Sequence, residues 1–152
     1  MHKKNLYAMA AVLTLLAAPV VAADSPTSVQ ACWKPAFEAG DARAVSMCYA
    51  HDAVLWLPGA PMMQGREAIR DGYIEFFSHY TVKSMVLVEM GRSEHGDEAA
   101  SWGSYRMTVV SKADGSPTNS IGRYTDVSRK VAGSWLYVVD HASDDPTASK
   151  AN

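Results

Sequence analysis

The hydrophobic period of this chain changes once, near residue 80, and that change constrains the fold most. Before it, apolar side chains recur at helical spacing. Val29, Cys32, Trp33, Ala36 and Phe37 form one stripe on a helix that starts near Ser28, a good N-cap. Pro35 lies inside this helix and predicts a kink, because its nitrogen has no proton to donate. Gly40 ends it and Asp41 caps a second helix over 42–49. A short apolar strand at 54–57 precedes the Pro58-Gly59 break, and a third helix at 66–78 carries Ile69, Tyr73, Phe76 and Phe77 on one face. From Val82 the period becomes two, with Val82, Ser84, Val86, Val88 and Met90 on one face and Lys83, Met85, Leu87 and Glu89 on the other. Further strands at 99–111, 119–130 and 134–143 are punctuated by Gly96-Asp97, Asp114-Gly115 and Ala132-Gly133. Helices first and strands afterwards is the order of an α+β domain.

The first residues stand apart from this pattern. His2, Lys3 and Lys4 precede an apolar run from Leu6 to Val21, and Val21-Ala22-Ala23 offers a small-residue cleavage site. This predicts a signal peptide over 1–23, and hence a periplasmic or secreted protein with no membrane attachment after cleavage. The folded domain is then expected over 24–143, with a small, polar, flexible tail over 144–152. At 48% apolar and 20% charged residues the composition is that of a folded domain, and a net charge of −2 with scattered lysines and arginines excludes nucleic acid as a partner. In an exported protein Cys32 and Cys48 are either a disulfide between consecutive helices or two buried thiols, and the sequence leaves both open. No HExxH or EF-hand spacing, no GxSxG and no phosphate or dinucleotide glycine loop occurs, so neither a metal site nor a cofactor is expected.

Three stretches carry a family resemblance: Trp33 to Asp41 with its Gly-Asp junction; Tyr49 to Leu55 with Pro58-Gly59 and Gly65 to Arg70; and Gly122 to Val127 with Gly133 to Ser143. In this order they resemble the nuclear transport factor 2-like superfamily, in its SnoaL-like and ketosteroid-isomerase-like branch. The resemblance implies a cone-shaped curved antiparallel sheet around N-terminal helices, a pocket at the open end, and a homodimer through the outer face of the sheet. That branch includes isomerases, cyclases, dehydratases and proteins without known activity, so function must come from the pocket. The general-base aspartate of ketosteroid isomerases falls on Leu57, their oxyanion tyrosine on Trp33, and their neutral carboxylic acid at or beside Asp126.

With the base position apolar, another acid–base pair is needed. A two-residue turn at Ala132-Gly133 sets Val131 against Ser134, Ser128 against Tyr137, Asp126 against Val139 and Tyr124 against His141. Asp126 and His141 then share a face diagonally and form the candidate catalytic pair, although a one-residue slip would separate them. Trp33, Tyr49, Trp56, Tyr73, Phe77, Tyr105, Met107 and Tyr124 are the candidate lining of a ligand pocket. The leading expectation is an exported pocket protein that binds a small apolar or aromatic molecule or a partner, non-catalytic or of unknown activity. The alternative is an acid–base enzyme of isomerase, cyclase or dehydratase type.

Overall fold

The computed structural model describes residues 25–146, so the expected signal peptide and all but the first residues of the expected tail lie outside the described residues. Helix α1 (Ser28–Glu38) is followed by α2 (Ala42–Met47), β1 (Tyr49–Trp56), β2 (Met63–Gln64) and α3 (Arg66–His79), then by β3 (Tyr80–His95), β4 (Glu98–Ser111), β5 (Pro117–Val131) and β6 (Ser134–Asp144). The six strands form one sheet in the order β2-β1-β6-β5-β4-β3, antiparallel throughout except where β1 joins β6. The sheet is curved and unclosed, with the helices against its concave face, so the expected α+β architecture is the one observed.

Local chemistry explains most boundaries. Asp41 caps α2 by accepting the Ala44 amide at 2.9 Å. Cys48 ends α2 and Tyr49 already belongs to β1, so the second helix is shorter than its apolar pattern suggested. A disulfide joins Cys32 of α1 to Cys48, closing the open choice between a bridge and two thiols. Ala132 and Gly133 have φ of 50° and 84°, as a two-residue hairpin turn requires, and Val131 pairs with Ser134 as expected.

Two of the sheet's β-bulges, in β3 and β6, decide which side chains face the cavity. Lys83 is an extra residue in β3, since Val82 pairs with Val109 but Ser84 with Thr108. Val82 therefore points inward with Met85 and Leu87, while Val86 and Val88 are about half exposed on the outer face. The alternation expected from the sequence holds on each side of Lys83 but not across it. Val138 is the second extra residue: Ser128 pairs with Tyr137, then Val127 with Val139 and Asp126 with Asp140.

The core lies between the helices and the inner sheet face. Val29, Trp33 and Phe37 of α1 and Ile69, Tyr73 and Phe77 of α3 are buried against Leu55, Tyr105 and Tyr137. Two glycines on the inner face make room for rings from the neighbouring strand. Gly103 pairs with Tyr124 and Gly122 with Tyr105, and a Cβ at either position would stand 2.8 Å or 2.4 Å from the facing tyrosine ring. Both rings thus lie flat across a strand and form a floor.

Candidate functional site

Between the helices and this floor is a cavity of about 410 Å³, within the range of small-molecule sites. Trp33 and Phe37 of α1, Tyr73 and Phe76 of α3, and Tyr105, Tyr124 and Tyr137 of the sheet give it seven aromatic walls. Leu57 and Pro58 sit at its edge, and Met85, Leu87 and Met107 add apolar surface.

Of the residues expected to line a pocket, Trp33, Tyr73, Tyr105, Met107 and Tyr124 do so. Three do not. Tyr49 is fully buried behind Tyr73, and Phe77 is enclosed by Phe37, Tyr73 and Phe76 within the core. Trp56 is half exposed and its ring meets that of His141 edge-on at 6.1 Å.

His141 itself requires a correction. The Val138 bulge shifts β6 by one residue, so His141 pairs with Thr125 and lies exposed, and Asp126 faces Asp140 instead. Asp126 and His141 therefore do not share the cavity face, and the pair proposed from the hairpin register does not form. Sequence reasoning missed Asp140, because the turn alone cannot reveal a bulge five residues into the strand.

Asp126 and Asp140 face each other as partners across β5 and β6 on the inner face, close enough for one carboxyl to donate to the other. Such a bond requires that one of them carry a proton. Asp126 is 5% exposed, lines the cavity, and its Oδ1 has no protein partner. Burial, then the charge on Asp140 and the bond to it, push its pKa up to about 10. Burial also raises Asp140, but a hydrogen bond from Tyr49 and the one from Asp126 oppose that rise. The shared proton accordingly resides on Asp126, and Asp140 is the anionic member.

A chain of donors fixes this assignment. The Trp33 indole N–H donates to the Tyr73 hydroxyl at 3.2 Å, and the Tyr73 and Tyr49 hydroxyls are 3.0 Å apart. Tyr49 donates to Asp140 Oδ2 at 2.5 Å. Tyr49 has one hydroxyl proton and gives it to Asp140, so Tyr73 donates to Tyr49 and the indole to Tyr73, and every proton in the chain points toward Asp140. Burial first, and then the nearby aspartate charge, raise both tyrosine pKa values, so both stay protonated at neutral pH. Arg66, at the start of α3, holds the Tyr49 carbonyl through Nε and Nη2 at 2.9 and 2.6 Å, which anchors the end of the chain nearest Asp140. Gln30 donates to the Tyr124 hydroxyl at 3.2 Å and so positions the floor.

The resemblance to ketosteroid isomerases can now be read on the geometry. Leu57 gives the cavity an apolar edge where a base was sought, and the Trp33 N–H is committed to Tyr73. Of the three positions only Asp126 carries an acid, and its raised pKa keeps it neutral. Among the described residues no group of three metal-ligating side chains converges, and no helix is long and apolar enough to cross a membrane.

The sequence profile of the SnoaL-like domain matches residues 29–138. Among solved structures, a ketosteroid isomerase-like protein from Erwinia carotovora atroseptica is similar at 25% identity and a TM-score of 0.71, over 78% of this chain and 92% of that one. An NTF2-like protein with a cystatin-like fold from Novosphingobium aromaticivorans is similar at 18% identity and a TM-score of 0.62, over 82% of each chain. Among proteins with curated descriptions none matches.

Proposed function

The chain belongs to the SnoaL-like family, and from that premise we propose that its cavity binds a small, largely aromatic or apolar molecule whose polar group is held by Asp126. One observation carries the reading. A protonated carboxyl, almost wholly buried and with one oxygen lacking any protein partner, stands at the wall of an aromatic cavity. An unpartnered buried oxygen costs about 1–3 kcal/mol, and a ligand that bonds it recovers that cost. The test is a fluorescence titration with 2-naphthalenemethanol, a neutral two-ring alcohol, on the wild type and on Ala142→Phe, which fills the cavity from β6. Saturable binding that weakens at least about tenfold (about 1.4 kcal/mol) in a folded Ala142→Phe variant supports the reading. Absent binding, or equal binding by both proteins, overturns it.

A second reading is acid–base catalysis by the same pair, favoured by the one proton that Asp126 and Asp140 share. In a dehydration, Asp140 would take a proton from carbon while Asp126 gives one to the departing hydroxyl, which leaves as water; the pair still holds one proton, now on Asp140, and it passes back to Asp126 before the next turnover. Loss of turnover in both Asp126→Asn and Asp140→Asn, with binding retained, would separate catalysis from binding.

We also propose an exported homodimer. The cleavable pattern at 1–23 and the Cys32–Cys48 bridge suit an oxidising compartment. The outer sheet face exposes Trp56, Val86, Val88, Trp102 and Ile121, while Trp135 is buried. Sedimentation at tens of micromolar (an order-of-magnitude choice for weak association) should show a dimer in the wild type and a monomer in Trp102→Glu. A wild-type monomer would refute the dimer.

A further inference from the structure

The charges around the cavity are one-sided. Asp126, Asp140 and Asp144 line its sheet wall, and no lysine, arginine or histidine is among the residues lining it. The cation close enough to influence Asp126 is Arg92, which is paired with Glu89 and lies 3.8 Å from Glu94. Asp140 keeps a negative charge offset by the Tyr49 hydroxyl, by the Asp126 proton and, as the smallest contribution, by the neighbouring His141, which lies exposed and outside the cavity. A buried anion with no cation on its cavity side is an unfavourable arrangement. The rest of the wall is aromatic, and ring faces attract cations as well as apolar surface.

We propose that the cavity selects organic cations: primary amines with an aromatic body, whose ammonium group enters against Asp126 and Asp140. This deepens the reading of the cavity as a small-molecule site and rests on it. The ammonium has three donors and no acceptor. One meets the unpartnered Oδ1 of Asp126, and another reaches the Asp140 carboxylate. The ring system lies between Trp33 and Tyr73 on the helix side and Tyr105 and Tyr124 on the floor, where offset stacking and burial favour it. Carboxylates and phosphates of the same size meet three aspartates and no cation, so they are rejected.

Binding is coupled to the proton on Asp126. That carboxyl is faced by Asp140 and Tyr137 from β6, Glu89 and Arg92 from β3, Tyr124 from its own strand and Tyr73 from α3. A second positive charge beside it favours the ionised form, so ammonium entry expels part of this proton.

The experiment is calorimetry on the wild-type protein at pH 7 with three probes of one shape: 2-naphthylmethylamine, 2-naphthalenemethanol and 2-naphthoate. Each is titrated in two buffers of different ionisation enthalpy, so that proton release is read directly. The amine should bind at least tenfold more tightly than the alcohol, with between zero and one proton released, and the naphthoate should give no heat of binding. In Asp140→Asn the tenfold preference should fall to near equality. An alcohol that binds as well as the amine overturns cation selection while leaving the cavity a binding site. If none of the three binds, cation selection and the reading of the cavity fall together. A preference for the amine that persists unchanged in a folded Asp140→Asn variant places the cation elsewhere and also overturns the proposal.

Discussion

Replacing Asp126 with asparagine should stabilise the protein at neutral pH, which is the reverse of the usual effect of changing a buried polar group. In an unfolded chain aspartate ionises with a pKa of about 3.9. Burial, the charge on Asp140 and the bond to it hold Asp126 at about 10 in the fold. Between these values the folded protein binds a proton that the unfolded chain has released, so stability is full below about pH 4 and declines as the pH rises toward 10. Each pH unit in that window costs about 1.4 kcal/mol, and pH 7 lies about three units into it, giving a loss of about 4 kcal/mol. Asparagine has the same shape, does not titrate, and donates to Asp140 through its amide. Allowing about half for its poorer replacement of the shared-proton bond, the variant gains about 2 kcal/mol at pH 7. The gain should rise to about 5 kcal/mol at pH 9 and reverse near pH 4, where the poorer bond leaves the variant about 2 kcal/mol less stable than wild type. Urea denaturation of both proteins at these three pH values measures it. A variant less stable than wild type at pH 9, or a difference that does not change with pH, refutes the shared-proton account.

Three further outcomes follow from the same geometry. Reducing the Cys32–Cys48 bridge, which spans 16 residues, should cost about 3 kcal/mol by freeing the unfolded chain, and denaturation with and without dithiothreitol checks this. Gly122→Val should press on the Ser143 carbonyl and push the Tyr105 ring off the cavity floor, costing at least about 1–3 kcal/mol and abolishing naphthalenemethanol binding, with urea denaturation and the fluorescence titration as readouts. Tyr49→Phe removes the donor to Asp140; it should cost about 1–3 kcal/mol and raise the Asp140 pKa further, an upward shift visible in a carboxyl NMR titration.

Much of the fold was legible because short-range signals placed it. The Asp41 cap, the apolar stripe of α1, the aromatic face of α3 and the Ala132-Gly133 turn each depend on residues within one helical turn or one hairpin. The hairpin register was correct from Val131↔Ser134 to Ser128↔Tyr137. It failed beyond Val138, because nothing in Val138-Val139 marks which of two adjacent valines loses its partner. Lys83 hides a bulge in the same way, and in both cases one extra residue exchanges the inner and outer faces. The candidate site was read accordingly. Asp126 and five of the eight expected lining residues face the cavity, because their strands or helices carry no bulge before them or their ring is fixed by helical spacing. His141 and Trp56 went to the outer face, Asp140 took the place opposite Asp126 assigned to Val139, and Ala142 took the place opposite Tyr124 assigned to His141. Tyr49 was expected at the cavity surface but lies one layer deeper, where its value is to orient Asp140 rather than to touch a ligand.

The central claim is that Asp126 and Asp140 share a proton at the wall of a ligand cavity, and carboxyl-carbon NMR of protein labelled at aspartate Cγ tests it most directly. Titrated from pH 3 to pH 11, one aspartate resonance should remain protonated through neutrality and be missing from the Asp126→Asn spectrum. Adding 2-naphthalenemethanol at pH 7 should shift that resonance and leave those of exposed aspartates such as Asp71 and Asp114 in place. If every aspartate ionises below about pH 5, the ordinary range for this side chain, or if the bound probe leaves the protonated resonance unmoved, the account is contradicted.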